Sequence, residues 1–108
     1  MLDIGVIHYV IRPEGGAIDA IWHSTRFDSD KQGTGIAKGD TSNGFPGTYE
    51  ITYYYPDGTV SAELELGIVK SGDVYRLTYS KDEEILLVGI GLETPSGLAG
   101  GYRKLGEK

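Results

Sequence analysis

The fold is decided in residues 49–66, where two runs of alternating apolar and polar side chains flank a turn. They read Tyr49-Glu50-Ile51-Thr52-Tyr53-Tyr54-Tyr55-Pro56-Asp57-Gly58-Thr59-Val60-Ser61-Ala62-Glu63-Leu64-Glu65-Leu66. Proline presets φ, aspartate caps the turn and glycine accepts positive φ, so Pro56-Asp57-Gly58 predicts a β-hairpin. The apolar residues share one face of both strands and the glutamates share the other, which is typical of a sheet with one side on a core and one in water.

The same hairpin pattern occurs twice more along the chain. Residues 75–90 align without a gap with residues 49–64, which lie 26 positions earlier. Residues 6–10 align with 49–53, and residues 18–22 align with 60–64, when the first turn is given one extra residue. The sequence therefore predicts three related hairpins.

Two further strands fit the remaining chain, which gives eight strands in one domain over residues 1–108. We predict them at about residues 3–12, 17–24, 32–38, 48–55, 59–69, 73–80, 84–93 and 98–105. Short connections favour an all-β fold, an eight-stranded antiparallel up-and-down meander barrel, because closure removes exposed sheet edges. An open two-sheet sandwich satisfies the same alternation and is the alternative.

Composition and charge exclude several classes of partner. The formal charge is −6, with 16 acidic and 10 basic residues, and a phosphate backbone would be repelled, so we expect no nucleic-acid partner. Cysteine is absent, which excludes disulfides and thiolate metal sites. The N-terminus lacks a basic region and the first apolar run, interrupted by His8, is too short for a signal or membrane helix, so we expect a cytoplasmic protein with no membrane partner.

The eight-strand meander with inward aromatic residues resembles the calycin type of barrel, particularly its small streptavidin-like members. Residues 45–53, 56–58, 89–92 and 98–103 also look like segments of small uncharacterised bacterial proteins. The set of indoles with which avidins enclose biotin has no counterpart, because Trp22 is the only tryptophan. The Gly-x-Trp opening of lipocalins is also missing, so the resemblance implies a fold and no particular ligand.

Inward-facing aromatic residues are the best functional signal in the sequence, because tyrosine carries a polar tip on an apolar body. We predict inward side chains at Trp22, Tyr49, Ile51, Tyr53, Leu64, Leu77, Tyr79, Val88 and Ile90. The repeat alignment also places His8 inward, either as a core histidine bonded to a tyrosine or as a ligand contact. The candidate ligand-binding residues are His8, Trp22, Tyr49, Tyr53, Tyr75 and Tyr79. Eight strands lie near the limit at which side chains fill a lumen, so a pocket and a packed core both remain open.

Other motifs give no chemistry. The glycine-rich residues 33–39 lack the spacing and the following helix of a phosphate loop. The acidic residues 82–84 fall at a predicted turn tip, and a metal site there would need ligands at alternate positions. His23 is expected to face outward beside Asp19 with no relay partner. We therefore predict no catalytic residue, no metal site and no cofactor.

The outer wall is unexpectedly apolar in the predicted arrangement. Its predicted outward residues on the first, second and seventh strands are Ile7, Tyr9, Ile11, Ile21, Ile85 and Leu87. Small residues on the eighth strand would make these one patch, which favours a homodimer or a tetramer. A loop or terminal segment folded over the patch is the alternative.

Two functions follow from these patterns. The first is a non-catalytic barrel that binds a small apolar or aromatic molecule in a Tyr- and Trp-lined lumen. The alternative is a self-associating module with a packed lumen. A cavity that reaches the surface distinguishes them, because a fully packed lumen would exclude the first.

Overall fold

A computed structural model describes residues 4–27 and 30–105 and shows a closed β-barrel. The strands are β1 (Gly5–Ile11), β2 (Ala17–Ser24), β3 (Gly33–Lys38), β4 (Gly47–Tyr54), β5 (Val60–Ser71), β6 (Val74–Lys81), β7 (Glu84–Thr94) and β8 (Gly97–Lys104). Each strand pairs antiparallel with the next, and β8 pairs with β1. The predicted up-and-down barrel is confirmed, and the β1–β8 ladder excludes the open sandwich. No helix in the described ranges is long and apolar enough to cross a membrane.

The barrel has two different ends. Connections 12–16, 39–46, 72–73 and 95–96 lie at the end that we call the closed end. The described parts of the connection after β2 (25–27 and 30–32) and connections 55–59 and 82–83 lie at the opposite end, which we call the mouth, together with the start of β1 and the end of β8.

The hydrophobic core fills the closed half of the barrel. Its largest fully buried side chains are Tyr9, Ile18, Tyr49, Ile51, Leu66, Leu77, Tyr79 and Leu98, of which Tyr79 lies at the boundary with the open half. Phe45, from the connection between β3 and β4, covers this end and meets the Tyr75 ring edge to face at 6.2 Å. The Tyr49 hydroxyl fixes that connection by donating to the Phe45 carbonyl oxygen at 2.9 Å.

The predicted orientation of β1 is wrong. Ile7 and Tyr9 are buried inside the barrel, Ile11 packs against the core, and His8 lies on the outer face. Tyr9 pairs with Ala20, whereas the repeat alignment places Val10 there. A one-residue error moves every side chain of a strand to the other face, and β1 is apolar on both faces, so its sequence could not reveal the error.

The predicted orientation of β7 is wrong from Leu87 onward for the same reason, whereas Ile85 lies before a register shift and faces outward as predicted. Leu87 packs against the core, while Val88 faces outward and Ile90 is 65% exposed. In β4–β5, Tyr53 pairs with Ala62, so the repeat alignment predicts that its counterpart Tyr79 pairs with Val88. In the structure Tyr79 pairs with Leu87 instead. The turn at residues 82–83 has φ values of 52° and 69°, as a tight two-residue type I′ hairpin requires, so this hairpin is one residue shorter than the alignment assumes.

Other orientations are confirmed. Trp22, Tyr49, Ile51, Tyr53, Leu77 and Tyr79 are buried in the barrel, and Leu64 packs against them. Ile21 and Ile85 are exposed on the outside. In β4 and β5, glutamate or threonine alternates strictly with apolar residues, so the sequence showed which side chains point inward. In β1 both faces are apolar, and its sequence carried no such indication.

Candidate functional site

A pocket of about 450 Å³ opens at the mouth and extends into the lumen. Its walls come from residues at the mouth ends of the strands, together with Phe27 from the connection after β2 and Tyr55 from the connection after β4. The lumen is therefore packed in one half and open in the other.

Aromatic rings from the four even-numbered strands form a row along the pocket wall. Trp22 of β2 meets Tyr53 of β4 at 5.4 Å between ring centroids, Tyr53 meets Tyr79 of β6 at 6.2 Å, and Tyr79 meets Tyr102 of β8 at 6.0 Å. Phe27 extends the row, with its ring 4.8 Å from that of Trp22. Four alternate strands thus place one ring each at the same level, and the result is a continuous aromatic surface.

Glycines on the odd-numbered strands make room for two of these rings. A Cβ built on Gly5 of β1 would overlap the ring of Tyr102. A Cβ built on Gly33 of β3 would lie 2.6 Å from Trp22 Nε1. The indole N–H also donates to the Thr34 carbonyl oxygen at 2.8 Å, so Trp22 has a fixed orientation. Small residues opposite large ones let a narrow barrel hold bulky rings and still leave a pocket.

Three tyrosine hydroxyls form the floor of the pocket. Tyr9, which is buried below it, bonds to the hydroxyl of Tyr53 at 2.8 Å and to that of Tyr79 at 2.7 Å. The hydroxyls of Tyr53 and Tyr79 also interact with each other by hydrogen bonding, so the three hydroxyls can use their three protons within this cluster. Tyr53 and Tyr79 line the pocket and present this cluster to it.

Burial keeps this floor neutral. Desolvation raises the pKa of all three phenols, and raises it well above the usual value for Tyr9 and Tyr53. The pKa of Tyr102 in the wall is raised by the same cause. At physiological pH these groups are therefore uncharged, and the floor presents neutral hydroxyl groups to a ligand.

Three basic side chains stand at the rim of the pocket: Arg26, Arg103 and Lys104. Arg26 follows β2, in a turn where its backbone N–H donates to Ser24 Oγ at 3.1 Å. Arg103 and Lys104 end β8, directly after Tyr102. Among the described residues, no aspartate or glutamate lines this pocket.

The predicted ligand-binding residues separate into three places. Trp22, Tyr53 and Tyr79 line the pocket. Tyr49 and Tyr75 point inward but lie at the closed end, where the Tyr75 hydroxyl donates to Glu93 Oε1 at 2.6 Å and this bond raises the Tyr75 pKa. His8 lies outside, with Nε2 at 3.4 Å from Ser96 Oγ. The structure therefore brings together three of the six.

Sequence reasoning missed Tyr9 and the basic rim. Tyr9 was placed outward by the phase error in β1. The rim could have been found, because even-numbered strands of a meander all end on the same side, so Arg26 after β2 and Arg103 and Lys104 at the end of β8 must lie near one another.

The pocket is suited to binding. Among the described residues, its polar groups are phenol hydroxyls, serine hydroxyls and rim cations, with no imidazole or carboxylate that could serve as a general base. Within the described part of the chain, no group of three His, Cys, Asp or Glu side chains is placed to hold a metal ion.

A scan against protein-family models and searches of curated proteins and of solved structures found no match to this chain. The proposals below therefore depend on the geometry of the pocket and of the outer wall.

Proposed function

We propose that this protein is a non-catalytic barrel that binds a small molecule with an apolar or aromatic body at its mouth. One observation carries the proposal: the pocket of about 450 Å³ that opens from the lumen to solvent. Ligand pockets in proteins usually measure roughly 300–1,000 Å³ and combine apolar walls with a few polar groups. A lumen packed along its whole length would have excluded this function.

Hydrogen bonds within the chain hold the pocket in shape. Trp22 is oriented by Thr34, and Tyr53 and Tyr79 are held by the hydroxyl of Tyr9. A wall whose side chains are already fixed loses little conformational entropy on binding, which favours affinity. The closed meander and its aromatic lumen support the further proposal that the fold is of the calycin type.

Binding of the neutral dye N-phenyl-1-naphthylamine tests this function. We expect saturable binding with energy transfer from Trp22, which is the only tryptophan in the chain and lines the pocket. Ala62 also lines the pocket, so Ala62→Phe fills it and should weaken dye binding about tenfold or more, since overpacking costs roughly 1–3 kcal/mol.

Ala99→Phe is the matched control, because Ala99 lies on the outer face between Leu92 and His8. The control should bind the dye as the wild type does. The proposal fails if the wild type shows no saturable binding, or if both variants bind equally well while remaining folded by circular dichroism.

The outer wall favours a second candidate function, self-association. Exposed apolar residues lie on β7, β1 and β2: Ile90 is 65% exposed, Leu92 58%, Val6 55% and Ile21 40%. Cross-strand pairing places Gly101 between Ile90 and Val6, and Ala99 and His8 between Leu92 and Ile21. We call these residues the outer apolar patch. The patch occupies the four predicted strands but shares only Ile21 with the predicted set, since Ile7, Tyr9, Ile11 and Leu87 face the interior.

We propose a second copy of this chain as the occupant of the outer apolar patch. Four strands roughly 4.8 Å apart span about 14 Å of the barrel wall. A stable interface buries roughly 800 Å² on each partner and has an apolar centre inside a polar rim, and a patch of this width suits that centre. A two-fold dimer places this face against its own copy, and so removes its exposed aliphatic side chains from water.

Sedimentation at tens of micromolar tests the dimer. The wild type should sediment as a dimer and Ile90→Glu/Leu92→Glu as a monomer, because two buried carboxylates would face each other across the interface. Val60→Glu/Val69→Glu changes two exposed valines of β5 by the same charge and should remain a dimer. A monomeric wild type, or a patch variant that keeps the dimer mass, contradicts the idea.

A further inference from the structure

We propose that the ligand of the mouth pocket is an organic anion, with an apolar body in the lumen and a carboxylate or similar group held at the rim by Arg103 and Lys104. This inference rests on the small-molecule function proposed above and names the chemical class of its ligand.

The charge of the pocket is opposite to the charge of the protein. The chain carries 16 acidic and 10 basic residues, yet each charged side chain that lines the pocket in the described structure is basic. The nearby carboxylate of Asp57 is turned into its own turn, where it accepts bonds from the N–H of Thr59 at 2.9 Å and its hydroxyl at 2.7 Å. Local cations on an acidic protein favour an anionic ligand at this one place.

The backbone positions the two cations. Lys104 shares the inner side of β8 with Tyr102 and pairs with Leu87, another residue of the pocket. The end of the strand is fixed by the N–H of Leu105, which donates to the Leu86 carbonyl oxygen at 2.9 Å. Lys104 therefore stands on the inner side of a fixed strand at the pocket opening, whereas Arg103 pairs with the outward-facing Val88 and lines the pocket from the outer side of the rim.

The two ends of the pocket decide which way such a ligand lies. The floor is uncharged and consists of the hydroxyls of Tyr53, Tyr79 and the buried Tyr9. A carboxylate placed there would lose its hydration without gaining a cation, which is costly. At the rim the anion stays in contact with water and with both cations. The apolar body therefore enters first, and its inner tip meets the neutral hydroxyl groups.

Two dyes that differ only in a sulfonate test the inference. They are 8-anilinonaphthalene-1-sulfonate, which is anionic, and the neutral N-phenyl-1-naphthylamine. In Arg103→Gln/Lys104→Gln we expect the anionic dye to bind about three- to tenfold more weakly, the range expected for exposed ion pairs, and the neutral dye to change less than about twofold. Added salt should weaken only the anionic dye in the wild type.

Lys38→Gln/Arg76→Gln is the matched control, because it makes the same change in net charge on β3 and β6, away from the mouth. It should leave both dyes within about twofold of the wild type, since screening limits the reach of exposed charges. Competition by dodecanoate against dodecanol, and by 2-naphthoate against 2-naphthol, then distinguishes aliphatic from aromatic anions. Each acid should compete better than its alcohol.

The possible results distinguish a failure of this inference from a failure of the proposed small-molecule binding. The inference is wrong if the mouth variant weakens both dyes equally, if the control variant loses the anionic dye to the same degree, or if the alcohols compete as well as the acids. In those cases neutral dye binding still supports the small-molecule function. If neither dye binds the folded wild type, both proposals are wrong.

Discussion

Replacing Trp22 with alanine is expected to lower the free energy of unfolding by about 3–5 kcal/mol, the range for deletion of a large buried aromatic side chain. Trp22 is 9% exposed and packs against Phe27 and Tyr53, at 4.8 and 5.4 Å between ring centroids. Its deletion would also remove the 2.8 Å bond from the indole to Thr34 of β3. Urea unfolding followed by far-ultraviolet circular dichroism measures the loss, because the variant has no tryptophan to report it.

Two further variants show where that loss comes from. Trp22→Phe keeps an aromatic ring but removes the N–H donor, and should cost about 1–3 kcal/mol. Tyr55→Ala removes an aromatic lip of the same pocket that is already 43% exposed, and should cost less than about 1 kcal/mol. A loss below about 1 kcal/mol for Trp22→Ala would show that this indole is not part of the core.

Alkaline pH is expected to unfold the barrel in one cooperative step. Burial raises the pKa of Tyr9, Tyr53, Tyr79 and Tyr102 above the value of about 10 that tyrosine has in an unfolded chain. Below pH 10 both states keep these protons, so the groups add no pH dependence. Above it the unfolded state loses protons that the folded state retains, and stability falls by up to about 1.4 kcal/mol per pH unit for each group.

Four such groups would together remove up to about 6 kcal/mol by one pH unit above 10, which is comparable with the total stability of a small domain. Absorbance at 295 nm, which reports phenolate, and circular dichroism should therefore change together. Tyr102→Phe removes one of these phenols and should make the stability profile shallower above pH 10, while leaving it unaffected between pH 7 and 9. A gradual rise in phenolate near pH 10 with a native circular dichroism spectrum would contradict the prediction.

Sequence alone determined the hairpin of β4 and β5 and, from it, the class of fold. Pro56-Asp57-Gly58 predicted the turn, and Glu50, Glu63 and Glu65 identified the side that faces water. The side chains of Tyr49, Ile51 and Tyr53 lie on the other side and therefore point inward. Repetition of that pattern was enough to predict eight strands and a closed barrel. These features are local, since an alternating strand with charges on one side has only one low-energy orientation against a core.

Only the tertiary structure decided which side chains of β1 and β7 point into the barrel. That choice also decided which residues of these strands belong to the pocket and its floor. Both strands are apolar on both faces, because their outer faces form part of the outer apolar patch, so alternation carried no information about which side is buried. The phase came from hairpin lengths that differ by one residue, which places Tyr9 beside Ala20 and Tyr79 beside Leu87.

The floor and the rim of the pocket likewise exist only after the barrel closes. Tyr9 reaches hydroxyls that are 44 and 70 positions away in the chain, and β8 carries Arg103 and Lys104 to the mouth that Trp22 and Tyr53 line. The sequence supplied the aromatic wall, because inward side chains can be inferred strand by strand. Which half of the lumen stays open was decided by closure alone, because the volume left inside depends on how rings from the even-numbered strands fit against the glycines of their neighbours.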